Sequence, residues 1–377
     1  MNICLISGTY PNVVCGVGFH CYFLAETLAS LGHRVSVITT QSNVIPHCLL
    51  TQPNPLIYPL ISYGTISSWF AARKVIEAIN PDVINIHLPV RTDTLLSVLA
   101  FPILRYLIRS KPVILTLHEF SEGLWMSKVR GILLIHVARY VIFPNLNDYN
   151  LAMRVFPRRS HDFFHAPLGP TLLFPRNIED IGERDRYSIA YLGILHPRKG
   201  LETLLRSMSE VVKAVPQIYL HILSSFDDTN RYHLYVQGLA ERLGVGKNIK
   251  WYKDLSLSNI AEILIRCNIT CLPYPKGATF RHSTLLEALT AGTAVITTKT
   301  SRTPPDLIHG HNVWFVRPED PHDLAQATVR LIMDDSLTDE LRIGGMELSK
   351  QFSWTIIGEK ITQIYSKIIN DFQNKGG

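Results

Sequence analysis

Short apolar runs alternate along this chain with longer segments whose apolar residues recur at helical spacing, and that alternation narrows the fold more than any other feature. Asn2–Ser7 reads as a strand, and residues 19–31 carry a helical apolar stripe that stops at Gly32. Residues 35–39, 83–86 and Val113–Leu117 read as further strands. Strand, helix and strand in repetition require right-handed crossovers and a parallel sheet. A break follows over residues 165–187, where Pro167, Gly169, Pro170 and Pro175 precede the charged run IEDIGERDR, a composition typical of linkers. The pattern then restarts. Residues 188–192 read as a strand, and Leu201–Ala214 as a helix with Leu201, Leu204, Leu205, Met208, Val211 and Val212 on one face. Strands are expected again at 218–223, Ile249–Trp251, 269–272 and 294–297. After Phe352-Ser353-Trp354 a last helix carries Ile357, Ile361, Ile364, Tyr365 and Ile368 on one stripe.

A chain of 377 residues is long for one hydrophobic core, so two α/β domains are expected: residues 1–170 and 171–352, with a terminal helix over 353–377. With 46% hydrophobic and 18% charged residues, the chain has enough apolar mass to bury both cores. The net charge of +6 leans toward the first half, where Arg105, Arg109, Lys111, Lys128, Arg130, Arg139, Arg154, Arg158 and Arg159 outnumber nearby acids. Such a field favours anionic lipid or phosphorylated ligands. No basic run is dense enough to make nucleic acid a partner.

Six cysteines, Cys4, Cys15, Cys21, Cys48, Cys267 and Cys271, form no C-x-x-C pair and no metal-ligand spacing, which fits free thiols in a reducing cytoplasm. The opening MNICLISG lacks a basic leader and reads as a strand, not a signal peptide. The most apolar stretch, residues 95–108, is interrupted by Pro102 and Arg105, whereas a spanning helix needs about 20 apolar residues. That stretch, edged by Arg105, Arg109 and Lys111 with Lys128 and Arg130 beyond, reads either as a core helix with solvated cations or as a peripheral surface on anionic lipid.

Ligands of parallel α/β sheets bind beyond the carboxyl ends of the strands, and three groups of residues are expected there. Gly16 and Gly18 precede the first helix, either as an ordinary turn or as a backbone approach to phosphate. CGVGFHC lacks the third glycine of a dinucleotide fingerprint, and no acidic ribose residue follows the second strand, so an NAD-dependent enzyme is the weaker alternative. His118 follows the strand Val113–Leu117, either as a satisfied loop histidine or as a hydrogen-bond donor to substrate. Lys199 lies in a strand-to-helix loop, where a lysine suits a diphosphate leaving group. Glu287 sits in the first turns of a helix starting near Ser283, whose N–H groups at Thr284 and Leu285 would face phosphate. Its carboxylate either complements the helix dipole or bridges two ribose hydroxyls.

With these residues in order, the chain resembles glycosyltransferase family 4, whose members have the GT-B fold. GTYPNVVCGVGFH through LGHRVSVIT, then PDVINIH, TLHEF, HAPLGP, YLGILHPRKGLETLL, LLEALTAGTAVITT, NVWFVRPEDPHDLAQATVRLI and FSW follow in the family's sequence, covering essentially the whole chain. The resemblance implies two Rossmann-like α/β domains facing across a cleft, with the terminal helix crossing back to the first. It also implies that Gly16 lies by a donor diphosphate, His118 near the transferring sugar, Lys199 at the diphosphate and Glu287 at the ribose. The implied activity is retaining, hexosyltransferase-type transfer from a nucleoside-diphosphate sugar, UDP by default, to an unidentified glycan or lipid-linked acceptor, in glycan biosynthesis. No metal or other cofactor is implied, and no Asp-x-Asp that would hold a cation to a diphosphate occurs.

Two positions depart from the family. Where relatives carry a second glutamate, eight residues before Glu287, this chain has Thr279; where they carry an arginine after the glycine matching Gly193, it has Ile194. Arg198, Arg281 and His282 are the candidates to replace the lost groups, with Ser283 opening the helix. The competing expectation is a catalytically silent GT-B protein that binds nucleotide or a partner subunit.

Overall fold

The computed structural model describes residues 1–10, 16–40, 53–61, 66–88, 110–118, 120, 125–174, 184–253 and 255–374. The segment 95–108, with Arg105 and Arg109, lies outside the described residues, as do Cys15 and Glu119. The chain divides into two compact units, Met1–Gly169 with Trp354–Gly377, and Pro170–Ser353.

In the first unit the described elements are β1 (Asn2–Ser7), α1 (Gly16–Ser30), β2 (Arg34–Thr40), β3 (Leu56–Ile61), α2 (Ile66–Ile79), β4 (Val83–Leu88), β5 (Val113–Leu117), α3 (Trp125–Val137), β6 (Tyr140–Phe143), α4 (Leu146–Val155) and β7 (Phe163–His165). The strands form one sheet in the order β3-β2-β1-β4-β5-β6-β7, with parallel pairings throughout. Both faces are covered. Ile3 and Leu5 pack with Leu24 and Leu28 of α1 on one side, while Cys4 and Ile6 join Ile84, Leu115 and Leu134 on the other. Burial of alternate residues on opposite faces is why these strands read as continuous apolar runs.

The first helix starts at Gly16, three residues before the apolar stripe predicts, because Gly18 lets it begin hard against the end of β1. A Cβ on Gly18 would stand 3.0 Å from Thr9 Oγ1 and 3.2 Å from the Thr9 carbonyl carbon. β3, β6 and β7, and β13 (Trp314–Val316) of the second unit, are strands that the sequence pattern does not predict. β3 carries Pro59, tolerated because β3 is at the sheet edge, and β6, β7 and β13 are three or four residues long.

The second unit runs β8 (Asp185–Leu192), α5 (Leu201–Ala214), β9 (Tyr219–Leu223), α6 (Arg231–Arg242), β10 (Ile249–Trp251), α7 (Leu257–Arg266), β11 (Cys267–Leu272), α8 (Ser283–Thr290), β12 (Ala294–Thr298), β13 (Trp314–Val316), α9 (Pro321–Met333) and α10 (Asp335–Lys350). Its parallel sheet is ordered β10-β9-β8-β11-β12-β13. α5 buries Leu201, Leu204, Leu205, Met208 and Val211, the stripe the sequence predicts, with Val212 partly buried beside them.

The chain ends in α11 (Trp354–Asn374), which belongs to the first unit. Ile357, Ile361, Ile364, Tyr365 and Ile368 are buried against α1 and the β1 face. Gly358 permits the close crossing, since a Cβ there would lie 2.6 Å from Thr27 Cγ2. Asn85 Nδ2 donates to the Tyr365 hydroxyl at 2.6 Å, and Thr116 Oγ1 donates to Asn85 Oδ1 at 2.8 Å. This buried network ties α11 to β4 and β5. In both units the strand order reverses once, between β1 and β4 and between β8 and β11. Open α/β sheets take their ligands beyond the carboxyl ends of the strands at such points.

Candidate functional site

The reversal in the second unit places the loops after β8 and β11 side by side. After β8, Gly193 leads to a short 3-10 turn, Pro197–Lys199, capped by His196, whose Nδ1 accepts from the Arg198 N–H at 3.1 Å. Gly200 then takes a left-handed conformation (φ 75°), and a Cβ there would lie 1.9 Å from the Pro273 carbonyl oxygen. Only glycine fits that approach. The two loops are therefore locked together directly behind Lys199.

Lys199 Nζ lies 5.3 Å from the centre of the Tyr274 ring, within cation–π range. Burial lowers its pKa from the ordinary lysine value, opposed by the Glu287 carboxylate and assisted by the Arg198 charge. The Tyr274 ring stacks on His282 with centroids 3.9 Å apart, and its hydroxyl shares a 2.6 Å hydrogen bond with Thr284 Oγ1. Burial, then the charges of Lys199 and Arg281, push the His282 pKa down to about 3, so its ring is neutral at physiological pH. Thr279 is buried, and its carbonyl accepts from the His282 N–H at 3.1 Å. Ile194 is 59% exposed.

α8 starts at Ser283 with no side-chain cap and no acidic residue in its first turn. The N–H groups of a first helical turn lack intrahelical acceptors and carry the positive end of the dipole. Leu285 departs from expectation: its N–H donates to the His282 carbonyl at 2.9 Å, which tightens the turn. Its amide is thus spent within the chain. The N–H groups of Ser283 and Thr284 make no backbone hydrogen bond among the described residues, the state in which such donors can accept an anion's charge.

Glu287, one turn further on, is 3% exposed. One carboxylate oxygen, Oε1, accepts from both the Thr171 hydroxyl and the Thr171 backbone N–H. Burial raises its pKa, against the lowering effects of Thr171 and of Lys199. Thr171 and Tyr274 were not singled out by sequence. Thr171 lies 116 residues from its partner, with nothing local to mark it, whereas Tyr274 sits between prolines directly after β11.

Lys199, Thr279, Arg281, His282, Ser283, Thr284, Leu285 and Glu287 thus lie on neighbouring loops and one helix of the second unit. Gly16 and His118 lie in the first. Gly16 is exposed at the start of α1, and a Cβ there would meet nothing within 4 Å. His118 follows β5 and joins two buried histidines, His20 of α1 and His87 of β4, with His87 Nδ1 3.2 Å from His118 Nε2. Burial lowers the pKa of all three, to about 4 for His20 and well below the ordinary histidine value for His87 and His118.

Comparison with known proteins matches both units. Residues 14–161 match the family described as Glycosyltransferase Family 4, and residues 186–334 match Glycosyl transferases group 1. The chain belongs to glycosyltransferase family 4 and has that family's two-domain α/β fold. A phosphatidyl-myo-inositol mannosyltransferase of Mycolicibacterium smegmatis is 24% identical over 97% of this chain and 93% of its own length. A D-inositol 3-phosphate glycosyltransferase of Corynebacterium jeikeium is 26% identical over 48% of this chain and 43% of its own. Among solved structures, a glycosyltransferase of Rickettsia africae superposes with a TM-score of 0.74 at 15% identity, covering 97% of this chain and 98% of that one. An Anabaena protein crystallised with UDP superposes with a TM-score of 0.72 at 15% identity, covering 97% of this chain and 100% of that one. No helix among the described residues is long and apolar enough to cross a membrane.

Proposed function

We propose that the protein transfers a hexose from a nucleoside-diphosphate sugar to an acceptor hydroxyl with retention of anomeric configuration and without a bound metal at the diphosphate. The observation that carries this is the convergence of Lys199, the open N-terminus of α8 and the buried Glu287 at one strand reversal. A lysine beside unspent N–H groups neutralises a diphosphate as the C1–O bond breaks and its electron pair moves to the phosphate oxygen. A carboxylate fixed by two hydrogen bonds suits a pair of ribose hydroxyls. The acceptor oxygen bonds to C1 on the face the diphosphate leaves, and its proton passes to that departing oxygen. For Gly16 and His118 we retain the roles the family resemblance implies, at the diphosphate and the transferring sugar.

UDP is the favoured carrier, in keeping with the Anabaena neighbour crystallised with UDP. The relatives named for phosphatidyl-myo-inositol and inositol phosphate favour an acceptor hydroxyl on a lipid-borne or phosphorylated polyol. A lipid-borne acceptor agrees with α3, where Val129, Ile132 and Leu133 are exposed beside Lys128. Thr279 offers one hydroxyl where relatives offer a carboxylate, so the sugar pocket is proposed to differ from the common one, with Arg281 and His282 supplying donors.

A screen of UDP-, GDP- and ADP-sugars for release of nucleotide, run on wild type and Thr279→Glu side by side, tests this. The substitution is expected to shift donor preference. Release from no donor by either protein favours a second reading, the silent nucleotide-binding partner, for which Ile194 in place of the family's arginine is the supporting observation.

A further inference from the structure

We propose that His20, His87 and His118 form a three-imidazole site for a divalent transition-metal ion of the zinc class. Nothing in the glycosyl-transfer chemistry above uses such an ion, although the site shares His118, the residue retained above at the transferring sugar.

One ring nitrogen from each histidine lies within 4.8 Å of the other two. A tetrahedral ion about 2.0–2.1 Å from each nitrogen sets its donors about 3.3 Å apart and the ring centres about 5 Å apart. His87 Nδ1 and His118 Nε2 are 3.2 Å apart, and the three ring-centre separations are 5.0, 5.5 and 5.6 Å. The rings therefore stand close to the spacing a shared ion imposes, with one short contact already at coordination distance.

Satisfaction of polar atoms points the same way. His20 Nδ1 and His87 Nε2 are sealed from solvent and have no hydrogen-bond partner among the described residues. Buried polar atoms are rarely left without partners, so His20 Nδ1 calls for a ligand; His87 turns its Nδ1 to His118, and its Nε2 points away from that shared position. Imidazole nitrogen suits zinc and its first-row neighbours, whereas magnesium and calcium prefer oxygen.

The ligands also come from rigid elements. His87 lies in β4 and His118 directly follows the paired β5, with the His118 N–H donating to the Leu88 carbonyl at 3.3 Å. His20, on α1, is packed by the Trp354 ring at 5.4 Å. His20 and His87 are buried while His118 is partly exposed, so the fourth coordination position opens on the His118 side. Three protein ligands and one open position are the arrangement that binds water or a further ligand on the ion.

The test is titration of the purified, chelator-treated full chain with Co²⁺, read by the visible absorption of the four-coordinate ion, followed by displacement with Zn²⁺. The expected result is one four-coordinate Co²⁺ per chain, displaced by Zn²⁺, with Zn²⁺ raising the melting temperature. His87→Gln and the partly exposed His118→Asn should each weaken binding by about a hundredfold or more. Circular dichroism confirms that each variant is folded, and His118→Asn serves if His87→Gln is not. Absence of a four-coordinate spectrum in the wild type overturns the proposal, and so does a spectrum that survives in folded His118→Asn. Neither outcome depends on transfer, so failure here is distinguishable from failure of the proposed activity.

Discussion

Glu287 holds Thr171 through a single carboxylate oxygen, which accepts from the hydroxyl and, at 3.3 Å, from the backbone N–H. The second oxygen makes no hydrogen bond among the described residues, so the chain orients this buried carboxylate through one oxygen alone. Thr171→Val removes one hydrogen bond to a charged group, worth roughly 1.5–3 kcal/mol. UDP affinity measured calorimetrically should fall about tenfold or more in Thr171→Val and further in Glu287→Ala. Unchanged affinity in both variants would remove Glu287 from the nucleotide site.

Lys199 is predicted to act on the departing diphosphate. Loss of one preorganised charge at such a group costs about 3 kcal/mol, so Lys199→Ala should lower turnover about a hundredfold or more. The fold should persist, since the side chain makes no ion pair among the described residues. Near-normal turnover in a folded Lys199→Ala protein would contradict the assignment.

Gly200 is the steric lock behind that lysine. In Gly200→Ala the new Cβ would overlap the Pro273 carbonyl in a backbone conformation already disfavoured for alanine. Denaturant unfolding should show a loss of about 2–4 kcal/mol, with UDP binding weakened in the fraction that folds. A loss under about 0.5 kcal/mol would mean that the loops are not locked as described.

Both sheets, the long helices and the buried stripes of α5 and α11 were legible in the sequence, because two-faced burial writes a strand as a continuous apolar run and a helix as a stripe. Short or edge strands such as β6 and β3 were not, since four residues or an embedded proline leave no period to read. In the site, Lys199 and Glu287 were legible only through motif order. Thr171 and the convergence of His20 and His87 on His118 were hidden, because contacts across 116, 98 and 31 residues depend on strand order and have no local pattern.

Acid should weaken the fold through partly buried neutral histidines. Burial, with the charges of Lys199 and Arg281, lowers His282 from 6.5 to about 3; burial, with Lys360, lowers His165 to about 4. The unfolded chain takes up these protons near pH 6.5 while the folded chain resists them. Their contribution is therefore complete above 6.5 and is lost as pH falls toward 4 and 3. Each group adds about 1 kcal/mol per pH unit in that window. Urea midpoints measured from neutral to acidic pH should fall in the wild type and fall less steeply in a folded His165→Asn variant; identical slopes would contradict the assignment.

The exposed apolar residues of α3 predict binding to anionic lipid. Vesicle sedimentation at low salt should capture the wild type, and Leu133→Glu should weaken capture about tenfold by adding a like charge to the surface and removing an apolar contact. Equal sedimentation of both proteins, or none at all, would sink this surface.

The most direct test of the central claim is the anomeric configuration of the transferred sugar, read by proton NMR on product made from an α-linked UDP-sugar and a polyol acceptor. The account predicts an α-linked product whose formation depends on Lys199 and persists in the presence of a chelator. A β-linked product, or transfer that Lys199→Ala leaves intact, would contradict it.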